Sequence, residues 1–374
     1  MYQAPQPYQP MLSQLAQTVH TSRTVNPEGN DVSFATTTSP SSPAFTFNSP
    51  LLSPIPENHV HEPAPAHLLL ALLHADDVPP EARRISGDYK RLFEKLFKSA
   101  IDAYDVYITF ELQAFNVTMG EFPISEELHR FSGLILVGAA VRISDPYPWI
   151  QDLVDWLTVA LGVPDRQWRH KNIIGFGFGH HLLGSMLGAK VKRGSKSWEV
   201  GLTEVTITDQ GKEKFCTKND ILRVRQFHHD YLATLPEHFN LLATSAPPRC
   251  PIQIMASAYP PNSKSPIKPA RYFTMECHPE MTPTLLSELV FEAQEDELLS
   301  DLFHPENGWG YDQVDSTWLA YQVVKFLIGG GEDWWEGRML DRFSTTTSNM
   351  SSRNSLRRDR SIQEKKKSMT WRDY

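Results

Sequence analysis

The sequence predicts an α/β fold built on a doubly wound, mostly parallel β-sheet. Apolar runs alternate with segments of helical spacing along the chain, which is typical of strand–helix–strand units. The first run, residues 67–73, is almost continuously apolar, as expected for a parallel strand that is buried on both faces. A later run, residues 173–176, ends in closely spaced glycines and opens an amphipathic segment, so that a strand, a tight turn and a helix follow one another.

The other elements are predicted in chain order from the same patterns. Residues 88–102 place six apolar side chains at helical spacing: Tyr89, Leu92, Phe93, Leu96, Phe97 and Ala100. Short or alternating apolar runs predict strands at 106–112, 131–137, 200–208, 222–227, 240–244, 252–259 and 271–277. Helices are predicted at 149–161, 282–294 and 316–328, the last of which is stopped by three glycines.

The two ends of the chain differ in composition from the predicted domain, residues 66–330. Residues 1–65 hold eleven of the 28 prolines and show no hydrophobic period, which predicts a disordered tail rich in Pro, Ser and Thr. Residues 342–374 carry nine Lys/Arg and three acidic residues, which predicts a basic, disordered tail. We expect the folded domain to lie between them.

Composition excludes several classes of function. The net charge of −8 argues against a general nucleic-acid or membrane-surface binder, and no apolar run is long enough to span a bilayer. Three cysteines at irregular spacings do not form a disulfide framework and suit a reducing compartment. We therefore expect a cytoplasmic protein without nucleic-acid or membrane partners.

The glycine-rich segment reads Ile-Ile-Gly-Phe-Gly-Phe-Gly-His-His from Ile173 to His181. It resembles the nucleophile elbow of class I glutamine amidotransferases, in which a strand, a sharp turn and a helix hold a cysteine in the pattern Gly-x-Cys-x-Gly-His-Gln. Gly175, Phe178, Gly179 and His180 fit that pattern. Gly177 stands at the cysteine position and His181 at the glutamine position. The resemblance therefore implies a flavodoxin-like amidotransferase scaffold without its nucleophile.

Further motifs carry the same resemblance, over roughly residues 66–330. His278-Pro279-Glu280 matches the turn that supplies the family's base and its orienting carboxylate. Gly138 and Phe178 fall at the positions of the oxyanion donors. The segments around Trp198, Glu199 and His228 resemble the branch close to γ-glutamyl peptidases, at places that line the glutamine pocket, and His181 joins them as a candidate substrate-binding residue.

No other residue is predicted to replace the nucleophile. Cys277 precedes His278 on a strand, so their side chains are expected on opposite faces, and Cys216 and Cys250 fall in predicted loops. Ser185 lies too far inside the elbow helix. We predict no cofactor: the glycine run departs from the dinucleotide-binding fingerprint, and the paired histidines lack the spacing of a metal site.

Three functional hypotheses remain open. The protein is a catalytically impaired amidotransferase-like protein, a pseudoenzyme that binds glutamine, a γ-glutamyl compound or a partner. Alternatively, it is an active amidotransferase or γ-glutamyl hydrolase that works by an altered mechanism in a biosynthetic pathway. A third alternative is a non-enzymatic interaction protein that uses its basic tail. Ammonia transfer would require a synthase on a separate chain.

Overall fold

The computed structural model of the chain describes residues 65–138, 141–162, 171–194, 198–245, 250–257, 271–300 and 314–329. Both predicted tails, residues 1–65 and 342–374, lie outside these ranges apart from Pro65. The hypothesis of an interaction through the basic tail therefore concerns residues outside the described ranges. The helices are α1 (Pro80–Ser86), α2 (Tyr89–Ala103), α3 (Pro148–Gly162), α4 (Phe178–Met186), α5 (Asp209–Phe215), α6 (Pro283–Glu295) and α7 (Ser316–Ile328). Short 3₁₀ turns cover Val117–Met119 and Ser125–Arg130.

Eleven strands are described. They are β1 (Ala66–His74), β2 (Ile108–Asn116), β3 (Gly133–Val137), β4 (Asn172–Phe176), β5 (Val191–Arg193), β6 (Glu199–Ile207), β7 (Ile221–His228), β8 (Asp230–Leu232), β9 (Phe239–Thr244), β10 (Ile254–Ser257) and β11 (Arg271–Met275). Nine of them form one sheet in the order β2-β1-β3-β4-β11-β10-β9-β6-β7, and β5 pairs with β8 in a second, two-stranded sheet.

The large sheet has a parallel half and an antiparallel half. Every pairing from β2 to β11 is parallel, and every pairing from β11 to β7 is antiparallel. The α/β, flavodoxin-like fold class predicted from the sequence is confirmed. Because parallel strands point the same way, the residues that follow β1, β3, β4 and β11 meet at one edge of the sheet.

Helices cover both faces of the parallel half. On one face, α2 packs its predicted apolar stripe against the sheet, and the Phe93 and Phe176 rings lie 5.2 Å apart. On the other face, α3 and α4 bury Leu153, Leu157 and Leu182 against the opposite side of β1 and β3. Asp88 caps α2 by accepting a hydrogen bond from the Arg91 N–H at 2.9 Å. Neighbouring strand residues thus point into two separate cores, as a doubly wound sheet requires.

Two of the helices do not show in the sequence pattern. The short helix α1 begins at Pro80, and α5 contains Gly211 within a polar segment that has no apolar period. A Cβ on Gly211 would lie 2.0 Å from the Leu242 carbonyl oxygen, so α5 packs on the backbone of β9 and needs glycine there.

None of the helices in the described ranges combines the length and the apolar character that crossing a membrane requires.

Candidate functional site

The elbow is a single residue between strand and helix. Gly177 links the end of β4 to the start of α4 with φ 49° and ψ −109°, in the region that favours glycine. Its N–H donates to the Met275 carbonyl at 3.0 Å, and its own carbonyl accepts from the His181 N–H at 3.0 Å. The turn therefore keeps the geometry that would project a side chain at residue 177 from the edge of the sheet.

The two flanking glycines are required for another reason, which is close packing. A Cβ on Gly179 would lie 2.3 Å from the Leu136 carbonyl oxygen, so α4 rests directly on the backbone of β3. A Cβ on Gly175 would lie 2.8 Å from the carbonyl carbon and oxygen of Gly179. These contacts leave no room for a side chain, and they fix the helix at the end of the strand.

His278 and Glu280 form a dyad beside the elbow. The His278 Nδ1–H donates to Glu280 Oε1 at 2.7 Å, and the His278 backbone N–H donates to the Arg225 carbonyl at 3.0 Å. Burial alone would lower the pKa of His278, but the Glu280 charge and hydrogen bond, followed by the Glu276 charge, outweigh burial and raise that pKa. Because the carboxylate only accepts, Nδ1 carries the proton and Nε2 faces away from Glu280.

The His278 ring occupies the space that a side chain at residue 177 would need. A Cβ on Gly177 would lie 2.5 Å from His278 Nε2 and 2.6 Å from Cε1, well inside van der Waals contact. The imidazole therefore lies closer to the elbow than it could if a nucleophile were present. Glycine at 177 and the position of His278 depend on each other.

The two candidate oxyanion donors follow two neighbouring strands, β3 and β4. Leu136 of β3 pairs with Gly175 of β4. Gly138 and Gly177, each two residues further on, therefore lie side by side at the sheet edge. Phe178 is the first residue of α4, where helix geometry leaves the N–H without an intrahelical acceptor, and its ring packs 5.5 Å from Trp149.

An acidic group lies next to Gly138. A Cβ on Gly138, whose φ is 96°, would lie 2.5 Å from Asp76 Oδ1. The Tyr89 hydroxyl hydrogen-bonds to Asp76; burial first, and then the charges of Asp76 and Glu280, raise the pKa of Tyr89 well above its usual value. The β1 side of the site is therefore acidic.

A buried cluster of two imidazoles and two carboxylates lies beneath the elbow. Its members, which we call the charge cluster, are His181 on α4, Glu199 on β6, His228 on β7 and Glu276 after β11. The His181 Nε2–H donates to Glu276 Oε2 at 2.8 Å, and the His228 Nε2–H donates to Glu199 Oε2 at 3.0 Å. His228 Nδ1 lies 3.8 Å from Glu276 Oε1. Glu276 is fully buried and the other three are at most 9% exposed.

The charge states within the cluster follow from these contacts. His228 donates from both ring nitrogens, to Glu199 and to the Asp230 carbonyl at 2.9 Å, so it is an imidazolium. Burial would lower the pKa of His228, but the Glu276 and Glu199 charges raise it to about 9. Burial would likewise raise the pKa of Glu276, but the His181 and His228 charges lower it to about 2. Each charge is thus stabilised by its opposite.

Neutral groups surround the charge cluster. His180 bonds to Thr274 Oγ1 at 2.8 Å and donates to the Ile252 carbonyl at 3.1 Å, and burial lowers its pKa to about 4, so it is neutral. The Cys250 thiol lies 3.9 Å from Glu276 Oε2. The Gln253 amide donates to Glu199 Oε2 at 3.4 Å. Within the described residues, no group of three or more His, Cys, Asp or Glu side chains is arranged to hold a metal ion.

The structure brings together most of the residues singled out from the sequence. They form two groups. The group at the sheet edge contains Gly138, Gly177, Phe178, His278 and Glu280. The group in the charge cluster contains His181, Glu199 and His228, and Glu276 lies between the two histidines.

Trp198 lies apart from them. Its indole N–H donates to the Leu298 carbonyl at 3.1 Å and its ring packs 5.2 Å from Phe227. Because Phe227 and His228 alternate along β7, their side chains point to opposite faces of the sheet. Trp198 therefore lies on the face opposite to the charge cluster.

Sequence reasoning missed Glu276, Asp76 and Tyr89. The signal for Glu276 is its place: it is an acidic residue directly after the apolar strand β11, whose last residue Met275 pairs with Phe176 next to the elbow. A charged residue at the end of a buried parallel strand, beside a glycine turn that follows the neighbouring strand, indicates a functional site at the carboxyl ends of the strands. Asp76 lies two residues after the end of β1.

Fold and elbow together have the features of a class I glutamine amidotransferase-like protein, and comparison with known proteins agrees. A glutamine amidotransferase-like protein of Schizosaccharomyces pombe is 25% identical over 270 residues, covering 69% of this chain and 98% of that protein. γ-Glutamyl peptidase 4 of Arabidopsis thaliana is 28% identical over 172 residues, covering 44% of this chain and 62% of its own. These relatives indicate the class I glutamine amidotransferase-like family, close to the γ-glutamyl peptidases.

More distant similarities are shorter or weaker. A subunit of the glutamine-hydrolysing GMP synthase of Pyrococcus abyssi is 34% identical over 112 residues, which is 30% of this chain and 52% of the synthase polypeptide. The crystal structure of a glutamine amidotransferase from Thermotoga maritima superposes with a TM-score of 0.46 at 18% identity, over 72% of this chain and 98% of that one. No protein-family model matches the chain.

Proposed function

We propose that this protein is a catalytically impaired member of the amidotransferase-like group, which binds glutamine or a γ-glutamyl compound at the elbow without rapid hydrolysis of its amide. Hydrolysis by this class needs a thiolate at the elbow, and residue 177 has no side chain. The hydrogen bond between His278 and Glu280 and the position of Phe178 at the start of α4 support retention of the other parts, with the N–H groups of Gly138 and Phe178 as oxyanion donors. A pocket without its nucleophile supports binding better than turnover.

The observation that carries this proposal is the contact between Gly177 and His278. Loss of a nucleophile alone would leave an empty space, but here the imidazole fills it, with Nε2 2.5 Å from the position of the missing Cβ. A ring in that place obstructs the path by which a thiol would reach the amide carbon. The His278 ring would have to move before a thiol at residue 177 could act.

Ligand recognition is assigned to the charge cluster. His181, Glu199 and His228 are paired with one another or with Glu276, and the field of these opposite buried charges favours a ligand that carries both an α-ammonium and an α-carboxylate group. Glutamine and γ-glutamyl peptides carry both groups. The names of the relatives, glutamine amidotransferase and γ-glutamyl peptidase, support the same choice.

The test compares the wild type with Gly177→Cys and Gly177→Ala. Both variants add a Cβ that must displace the His278 ring, and both strain a positive φ at a cost of about 1–3 kcal/mol, but only cysteine restores a nucleophile. Calorimetry measures glutamine and γ-glutamylcysteine binding, and ammonia or glutamate release measures turnover. We expect the wild type to bind without turnover, Gly177→Cys to release product, and Gly177→Ala to remain inactive.

Two results would contradict the proposal. Rapid amide hydrolysis by the wild type would show that another group does the chemistry. A wild type that binds neither compound, together with an inactive Gly177→Cys, would show that the pocket has decayed beyond one residue.

A second candidate is slow amide hydrolysis by an altered mechanism. The His278–Glu280 dyad, with its bond of 2.7 Å, favours this because it could activate a water as a general base. Slow wild-type turnover that is lost in His278→Ala would support it.

The GMP synthase relative also supports a synthase on a separate chain as a partner, which co-purification with such a chain would test.

A further inference from the structure

The His278 imidazole stands where a nucleophile would stand. Its Nε2 lies 2.5 Å from the Cβ position of residue 177, at the N-terminus of α4. Among the described residues its only side-chain hydrogen bond is made by Nδ1, to Glu280. The second nitrogen is thus aimed at the reaction position with its lone pair available when the ring is neutral.

We propose that His278 is itself a nucleophile, whose Nε2 accepts an acyl group from activated acyl donors such as thioesters and aryl esters. Histidine is among the side chains that form covalent intermediates in enzymes. Glu280 holds Nδ1–H and so fixes which nitrogen reacts. This activity goes beyond glutamine binding and does not depend on it.

The steps balance without any further reagent. The Nε2 lone pair forms a bond to the acyl carbon, and the carbonyl electron pair moves to the oxygen, which faces the N–H groups at Phe178 and Gly138. The tetrahedral adduct collapses, the C–S or C–O bond breaks, and a thiolate or phenolate leaves. Water then adds to the acyl-imidazolium and loses one proton to solvent, and the N–C bond breaks to give neutral His278 and a carboxylic acid. The acid ionises by giving a second proton to solvent.

Leaving-group basicity separates this chemistry from amide hydrolysis. An amine is a poorer leaving group than imidazole, so an adduct formed on an amide returns the imidazole and regenerates the substrate. A thiolate, whose parent thiol has a pKa of about 8.5, leaves readily. Replacing a thiol by His278 thus changes the class of substrate from amides to activated esters.

The charged groups around His278 set the pH at which it reacts. Glu280 in its own turn and Glu276 at the end of β11 favour the imidazolium, while burial and His228 on β7 oppose it, and the net result is a raised pKa. The reactive neutral form therefore accumulates only as the pH rises above the usual value of 6.5. Glu280→Gln removes one carboxylate and should move the midpoint to lower pH.

The experiment measures p-nitrophenyl acetate hydrolysis by the full-length chain, with the buffer rate subtracted at each pH. Variants are His278→Gln, Glu280→Gln and, as a control for surface imidazoles, His129→Gln, whose ring lies on the exposed turn before β3. We expect loss of the rate in His278→Gln only, a rate that rises with pH, and a shifted midpoint in Glu280→Gln. Acid quench and mass spectrometry should place a transient acetyl group on His278.

The partitioning of the acetyl group between hydroxylamine and water distinguishes a nucleophile from a general base. With hydroxylamine present, p-nitrophenyl acetate and phenyl acetate should give one constant ratio of acetohydroxamate to acetate, because both pass through the same acyl-enzyme. The proposal is overturned if His278→Gln keeps the wild-type rate, or if the rate depends on His278 while the two esters give different ratios and no adduct forms. Failure of the wild type to bind either glutamine or γ-glutamylcysteine would count against the proposed function but would leave these results unchanged.

Discussion

Glu276→Gln should destabilise the protein by an amount that depends on pH. The substitution keeps the size of the side chain but removes the negative charge that lies between His181 and His228. The difference between an ordinary carboxyl pKa of 4.5 and one of about 2 corresponds to about 3 kcal/mol of unfolding free energy, at about 1.4 kcal/mol per pKa unit. Removing one partner of a buried ion pair costs about 3–5 kcal/mol, which agrees.

The sign of the pH dependence follows from the two opposite pKa shifts. The depressed pKa of Glu276 gives a stabilisation that is present above pH 4.5 and is lost as the pH falls through about 2. The raised pKa of His228 gives a stabilisation that is present below pH 6.5 and is lost as the pH rises through about 9. The penalty of the variant should therefore be largest between pH 4.5 and 6.5 and smaller on either side.

Urea unfolding followed by tryptophan fluorescence at a series of pH values measures this penalty. Glu204→Gln is the matched control, because it breaks the exposed Arg223–Glu204 ion pair of 3.0 Å and should cost less than about 1 kcal/mol. A Glu276→Gln penalty equal to that of the control, or the same at every pH, would refute the reasoning.

Two other features give direct predictions. Gly179→Ala forces a Cβ against the Leu136 carbonyl and should lower the free energy of unfolding by about 1–3 kcal/mol, whereas Ser185→Ala, on the exposed side of the same helix, should change it by less than about 0.5 kcal/mol. Equal effects in urea titrations would count against the close packing of α4. Thiol labelling of the native protein should modify exposed Cys216 quickly. The buried thiols Cys250 and Cys277, whose pKa values burial raises, should react only on unfolding, and rapid labelling of all three would contradict the packing.

The fold and the elbow were predictable because their signals are local. Buried parallel strands read as continuous apolar runs, α2 shows its stripe, and the glycines around Gly177 mark a turn that few other residues can make. The contact between His278 and Glu280 was predictable because the His-Pro-Glu turn that carries the resemblance holds the two residues only two positions apart. Helix α5 was not, since what fixes it is a contact of Gly211 with a strand that is distant in sequence.

The charge cluster was only half predictable. Resemblance to a family identified His181, Glu199 and His228 one at a time, as separate positions around a pocket. Glu276 joins them, but its partner His181 is 95 positions away and its neighbour His228 lies on the other half of the sheet. Only tertiary structure puts four ionisable side chains together, and no periodicity or spacing in the chain reports that contact.

The position of the charge cluster also affects partial unfolding of the protein. Glu276 and His181 belong to the parallel half of the sheet, whereas His228 and Glu199 belong to the antiparallel half, and β11 is the strand at which the two halves meet. Separating the halves would pull opposite charges apart while each half kept its own strand ladders. Partial opening along this seam is therefore disfavoured, and the two halves are coupled into one cooperative unit. Backbone amides of β4 and those β7 amides that bond to β6 should consequently exchange with solvent at similar, slow rates, although these strands lie in opposite halves of the sheet.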